Sequence, residues 1–279
     1  AGLRATSSTG DQLNTNTITG PHTGSCVGGL WGMLLQDVSG TVNANMVSGI
    51  GNGLTTGCQE GRGIEAKGAG ALGITNNNIT QYQKSGIIVR DTVNATITGN
   101  TTAGEGPSNV IAMNGITVTS SGTAIITGNH TSGHRYNPET NVSCGILTFN
   151  TATISGNDST SDEVAICAIG GNGSQIVNNQ VDKHSERGIY LDGALNVLAD
   201  NNDIDGQGSG TTASSGGANP DADTRYYGIY AIDSTGTLSN NVIKGITHGV
   251  ASGTQSGVGI RLAARSGAAS DMDILGNVV

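Results

Sequence analysis

The sequence predicts an all-β solenoid of about ten coils with three short strands per coil, and three observations predict it. A closing landmark, Ile-x-x-Asn with Leu or Val variants, recurs at Leu13/Asn16, Val42/Asn45, Ile74/Asn77, Ile97/Asn100, Ile126/Asn129, Ile154/Asn157, Ile176/Asn179, Leu198/Asn201, Leu238/Asn241 and Ile274/Asn277. An opening landmark, Gly-apolar-x-apolar, recurs at Gly2, Gly32, Gly63, Gly86, Gly115, Gly145, Gly188, Gly228 and Gly259, with Ala165 in one slot. Successive openers lie 20 to 40 residues apart, a solenoid period. The 46 Gly and an apolar fraction of 35% suit a thin core of small stacked side chains.

Each opener reads as a short strand with period-two alternation. Ile87 and Val89 point inward, as do Ile116 and Val118, and Ile189 and Leu191. A turn, a second strand such as Ala95-Thr96-Ile97-Thr98, the landmark Asn and a third short strand follow. An Asn repeated at one corner tolerates a left-handed bend and carries both a donor and an acceptor for the coils above and below. The distance from opener to Asn is 12 to 14 residues in nine copies and 18 in the last, whereas the remainder of each coil varies. The repeat runs from Gly2 to Asn277, so residues 1–279 read as one elongated domain without an evident cap at either end. A cut from a longer protein, or a further subunit over the ends, is the expectation from bare ends.

Three strands per turn with an Asn ladder at the second corner resembles the single-stranded right-handed parallel β-helix of the pectin lyase-like superfamily, the fold of pectate lyases, polygalacturonases, alginate epimerases and many phage tailspikes. The resemblance covers essentially the whole chain and is architectural. It implies a groove floored by the outward face of the opening strands and walled by the loops that precede them. The long segments Thr101 to Asn114, His130 to Cys144 and Asp203 to Tyr227 would be those walls. The Gly-His-Gly and Arg-Ile-Lys motifs of polygalacturonases and the Asp-Pro-His of alginate epimerases do not occur, and Tyr190-Leu191-Asp192 is a partial echo of the last.

A net charge of -9 with only 12 Lys and Arg argues against nucleic acid and anionic membrane surfaces, which demand clustered cations. No apolar run approaches membrane-spanning length. Cys26 lies six residues before Gly32 and Cys58 five before Gly63, so the two fall nearly above each other and a disulfide is expected. Cys144 and Cys167 sit in neighbouring coils three positions out of register, which leaves that pairing open. Disulfides place the chain outside the cytosol, in an extracellular or cell-surface setting.

The densest reactive set lies in the eighth and ninth coils. Asp182, Lys183, His184, Glu186 and Arg187 precede Gly188, Tyr190 and Asp192 follow it, and Asp221, Asp223, Arg225, Tyr226, Tyr227 and Tyr230 surround Gly228. Asp192 is the expected general acid or base, His184 its proton partner and Arg187 the clamp for a carboxylate or enolate. Tyr190, Arg225, Tyr227 and Tyr230 would bind substrate, with Arg90, Arg135 and Tyr136 as subsites three to four coils away. The competing reading is a solvated rim whose charges pair with one another. No cofactor is implied other than Ca²⁺, which Asp203, Asp205, Asp221 and Asp223 could hold through hard oxygen ligands; as an alternative they only make a Gly/Ser-rich loop soluble. Outward apolar residues at Ile88, Leu147, Phe149, Ile169 and Ile232 mark a surface covered by loops, a partner subunit or a ligand.

Two functions follow as expectations. The first is an extracellular β-helix that recognises a polysaccharide in that groove and cleaves or epimerises it if catalytic, as a lyase, hydrolase or epimerase. The second is a non-catalytic adhesin, filament subunit or tailspike shaft, with end-to-end or homo-oligomeric assembly.

Overall fold

A computed structural model describes residues 1–20, 28–51, 57–136, 141–206, 226–246, 257–265 and 270–279. Cys26, Asp221, Asp223 and Arg225 lie outside these residues.

Alternating apolar residues build three parallel columns of strands. The opening strands stack in the order β1 (Leu3–Asn14), β3 (Trp31–Asn43), β5 (Arg62–Lys67), β8 (Ser85–Val89), β11 (Asn114–Val118), β14 (Cys144–Thr148), β17 (Val164–Ile169), β20 (Arg187–Asp192), β23 (Tyr226–Ile232) and β26 (Gly257–Ala263). In the first two coils, β1 and β3 continue unbroken into the second position. Later coils have separate second strands: β6 (Ala69–Thr75), β9 (Thr92–Thr98), β12 (Ala124–Thr127), β15 (Ala152–Ser155), β18 (Gln175–Val177), β21 (Val197–Asp200), β24 (Thr235–Ser239) and β27 (Asp271–Leu275). The third column is β2 (Thr17–Thr19), β4 (Met46–Ile50), β7 (Asn78–Tyr82), β10 (Thr101–Ala103), β13 (His130–Ser132), β16 (Asp158–Thr160), β19 (Gln180–Asp182), β22 (Asp203–Asp205) and β25 (Val242–Lys244).

Register stacks like on like. Met33, Ile64, Ile87, Ile116, Ile146, Ile166, Ile189 and Ile229 form one buried column of the opening strands. Val42, Ile74, Ile97, Ile126, Ile154 and Ile176 form another at the second strands. Each aliphatic side chain removes its neighbour's apolar area from water, the main favourable term in such a tube. The opener Gly is a packing requirement: a Cβ on Gly115 would lie 2.5 Å from the Gly145 carbonyl oxygen and 2.7 Å from Thr102 Oγ1.

The Asn ladder is continuous. Each Oδ1 accepts both the backbone N–H and the Nδ2 of the Asn in the preceding coil, through Asn16, Asn45, Asn77, Asn100, Asn129, Asn157, Asn179, Asn202, Asn241 and Asn277. Two expectations are corrected here. The eighth rung is Asn202, because Ala199 takes the core position opposite Ile176 and Leu198 turns outward. The left-handed residue is the one before each rung, as in Asn76, Gly99, Gly128, Asn178, Asn201 and Asn240, so the ladder Asn supplies hydrogen bonds and its predecessor supplies the bend.

Cys144 and Cys167 are bonded, with Cα atoms 6.2 Å apart, inside the usual span of about 4.4–6.8 Å. Register pairs Leu147 with Cys167, so the offset of three positions stands, but Cys144 joins Leu147 and Cys167 in one outer apolar cluster, which brings the two sulfurs together. Cys58 is disulfide-bonded, and its expected partner Cys26 lies outside the described residues.

The third column breaks the apolar pattern at one place. Ile79 is followed in successive coils by Thr102, Thr131 and Ser159 before Val181 restores it, and all of these are buried. The hydroxyls serve a buried network. Thr131 and Ser159 each donate to Asp162 Oδ2 at 2.7 Å, and His134 Nδ1 meets Asp162 Oδ1 at 2.7 Å. With the Nδ1 proton fixed by that carboxylate, His134 Nε2 accepts from Tyr82 Oη, whose ring stacks on the imidazole at 5.8 Å.

Candidate functional site

The outward positions of the opening strands form one file: Leu34, Glu65, Ile88, Thr117, Leu147, Cys167, Tyr190, Tyr230 and Arg261. It is not a bare groove floor. At the far end Cys144, Leu147, Val164, Cys167, Tyr190, Tyr227, Tyr230 and Ile232 pack as a second apolar cluster outside the tube. Of the expected apolar strip, Leu147 and Ile232 join this cluster, Ile169 packs against it, and Phe149 remains 41% exposed.

The structure brings Glu186, Arg187, Tyr190, Asp192, Tyr227 and Tyr230 of the eighth- and ninth-coil set together, as a stack. The Arg187 guanidinium lies 4.4 Å from the Tyr190 ring centre and 5.1 Å from that of Tyr230, pairs with Glu186 at 2.6 Å, and is only 2% exposed. Tyr230 stacks on Tyr190 at 5.7 Å and on Tyr227 at 4.9 Å, and Arg261 stands against Tyr227 and Tyr230 on the other side. Tyr190 donates to Asp192 at 2.9 Å, and burial, the larger cause, with that carboxylate pushes its phenol well above its ordinary range. Asp192 is clamped by both terminal nitrogens of Arg265, at 2.7 and 2.8 Å. His184 does not reach Asp192's environment as a proton partner. It is buried, and desolvation pulls it down to about 4 against the opposing pull of a Tyr227 backbone hydrogen bond and the Asp205 charge.

The other expected residues are dispersed. Arg90 binds the fully buried Glu65, which also accepts from Trp31 Nε1 and lies 3.4 Å from Arg62 Nε. Asp203 pairs with Lys244 at 3.0 Å, and Asp205 lies 3.9 Å from the same ammonium. Among the described residues no group of three or more His, Cys, Asp or Glu is placed to hold a metal. Arg135 and Tyr136 sit on the fifth-coil segment after β13, where Tyr136 N donates to Glu163 at 2.8 Å.

Tyr136 leads to the feature that sequence reasoning missed. A polar hollow of about 300 Å³ opens on the outer side of the third to fifth coils, lined by Gln59, Lys84, Ala112, Asn114, Tyr136, Asn141 and Val142 over Ile111 and Leu147. Lys84 is half-buried beside Gly86 and donates to the Ala112 carbonyl at 2.7 Å. Desolvation first and the nearby Arg62 charge second lower its pKa. Asn114 Oδ1 accepts from Cys144 N at 2.9 Å, which leaves its amide N–H₂ as a donor at the hollow. One sequence signal was available: Lys84 is the sole charged residue between Lys67 and Arg90.

A family model described as a right handed beta helix region matches residues 62–262, well over half of the chain. The chain belongs to that family. No curated protein and no solved structure matches it. For a right-handed β-helix, the outer face of the opening strands is thus divided between a closed Tyr/Arg stack and an open hollow.

Proposed function

We propose that this β-helix is an extracellular polysaccharide-recognition protein that binds its ligand on the outer face of the opening strands, at the hollow beside Lys84. The observation that carries the reading is the hollow itself, whose size sits at the lower end of ligand sites, about 300–1,000 Å³, and whose lining joins polar donors to an apolar floor and one Tyr ring. The disulfide between Cys144 and Cys167 supports an oxidising compartment.

Binding without bond cleavage is favoured by the state of the residues best suited to move protons. His184 is neutral across the physiological range, Arg187 is closed off by two Tyr rings, and Asp192 is held by Arg265. The test is a panel of neutral, acidic and sulfated polysaccharides screened for binding to the protein and to Tyr136→Ala. Retention of at least one glycan, weakened by the substitution, supports the reading. No retention of any glycan returns the chain to the structural alternative, a stiff surface or fibre element held by its Asn ladder.

A further inference from the structure

We infer that the outer face of the second strands, from the second coil to the sixth, is a surface that binds ice. Register places two parallel files of side chains on it. Thr41, Gly73, Thr96, Ile125 and Thr153 stand opposite one another in successive coils, and Asn43, Thr75, Thr98, Thr127 and Ser155 form the file beside them. Both files point away from the buried residues between them, Val42, Ile74, Ile97, Ile126 and Ile154. Coils repeat at about 4.8 Å and alternate residues of a strand stand about 6.6 Å apart, so the hydroxyl and methyl groups lie on a rectangular net. The oxygen atoms on the prism face of ice lie on a rectangular net of closely similar dimensions, so water ordered along these files continues into the crystal.

The net is held in place from behind. The side-chain amides of the rungs Asn100, Asn129 and Asn157 each donate to the carbonyl of the second-file residue in their own coil, Thr98, Thr127 and Ser155, at 3.2 Å. Side-chain ladders of this kind keep a parallel sheet flat over many strands. Within the second file, Thr75 donates to Asn43 Oδ1 at 2.9 Å, and the Thr127 and Ser155 hydroxyls meet at 3.2 Å. Thr and Ile are stiff at χ1, so little rotamer freedom is lost when a rigid surface covers them.

The chemistry of the face matches a neutral lattice. The chain carries 21 acids and 12 Lys and Arg, yet neither file holds a charge until Asp200, two coils beyond Ser155. A charged group would have to give up its own hydration shell to sit on ice, at high cost. Neither file offers an aromatic ring on which a flat sugar could stack, nor the aromatic and Arg anchors of a protein interface, and Ile125, 40% exposed, is its one large apolar side chain. Two shallow hollows of about 280 and 240 Å³ run beside the first file, one lined by Thr96, Thr123 and Ile125 and the other by Thr123, Thr151 and Thr153, and each has room for rows of water. The face belongs to the second column of strands, whereas the hollow beside Lys84 lies on the opening strands, so the two readings are independent.

The test is osmometry of the gap between the melting and freezing points of ice in solutions of the protein, with crystal shape and recrystallisation recorded in the same samples. The native chain is expected to open a gap, facet the crystals and hold their size. Thr96→Tyr and Thr153→Tyr, each lifting the face off the lattice, are expected to remove most of the gap, while His130→Tyr on the third column leaves it unchanged. Ile125→Lys puts a charge on the face and serves if a Tyr variant does not fold. No gap, no shaping and no inhibition of recrystallisation by the native chain overturns the inference, as does a gap that survives Thr96→Tyr and Ile125→Lys with normal circular dichroism. Sedimentation showing a native dimer that Thr96→Tyr dissociates assigns the face to a second copy of the chain and overturns it as well. Thr96→Tyr is expected to retain glycans as the native chain does, which keeps this outcome separate from that of the polysaccharide panel.

Discussion

Substituting Asn129 by Ala removes a rung from the middle of the ladder, and the structure sets the cost. Asn129 is 1% exposed. Its Nδ2 donates to Ile97 O at 2.9 Å, Thr127 O at 3.2 Å and Asn157 Oδ1 at 3.0 Å, while its Oδ1 accepts from Asn100 N and Nδ2, both at 2.9 Å. Asn100 Nδ2 keeps other acceptors in Ile74 O and Thr98 O, but the buried Asn100 N–H is orphaned. An orphaned buried donor costs about 1–3 kcal/mol and each further net hydrogen bond about 0.5–1.5 kcal/mol, so the loss should be on the order of 4 kcal/mol. The terminal rung Asn16 is half-exposed and its side chain donates only to Asn45 Oδ1, so Asn16→Ala should cost about 1 kcal/mol. Urea unfolding followed by circular dichroism, with the slope checked for both variants because solenoids can lose cooperativity, reads the difference. Costs below about 1 kcal/mol at both positions would refute the ladder as a principal stabiliser.

Two further outcomes concern stability. His184 has its folded pKa pulled down to about 4, below the unfolded value near 6.5. The unfolded chain therefore binds the proton first as pH falls, stability is full above about 6.5 and declines toward 4, and the total is about 3 kcal/mol. Denaturation midpoints from pH 7.5 to 4 should show this slope in the native chain and lose it in His184→Phe; an unchanged slope would contradict the assignment. Reducing the Cys144–Cys167 bond, or making Cys144→Ser with Cys167→Ala, opens a closed loop of sequence separation 23, worth about 3 kcal/mol of chain entropy. A thermal midpoint unmoved by reduction would show that native packing, not the crosslink, holds these coils.

The fold was legible because a solenoid repeats one local rule, so that a strand's alternation and a corner's Asn are visible ten times over. The slip at Asn201 and Asn202 shows the limit: two adjacent Asn, one left-handed and one on the ladder, are told apart only by knowing that Ala199 fills the core. The buried Tyr82, His134 and Asp162 network left a trace in Thr102, Thr131 and Ser159, hydroxyls two residues after a rung where other coils place an aliphatic. Its members come from three different coils, so spacing along the chain does not reveal that they meet. The site was harder still. Reactive residues at Gly188 and Gly228 share a side as expected, yet whether that side is open depends on how Tyr190, Tyr227 and Tyr230 stack, and their stacking encloses Arg187. Lys84 carried no motif, since what distinguishes it is its place in a hollow lined by residues far apart in the chain.

The most direct measurement is a methyl-labelled NMR titration of the protein with a fragment of a glycan retained in the binding panel. Binding at the hollow predicts saturable shifts at the methyl groups of Leu147, Ile111 and Val142 that are weakened in Tyr136→Ala, with the methyls of Leu198 and Leu238 unmoved. Shifts centred on Leu198 or Leu238, or no shifts at a saturating concentration of the fragment, would contradict it.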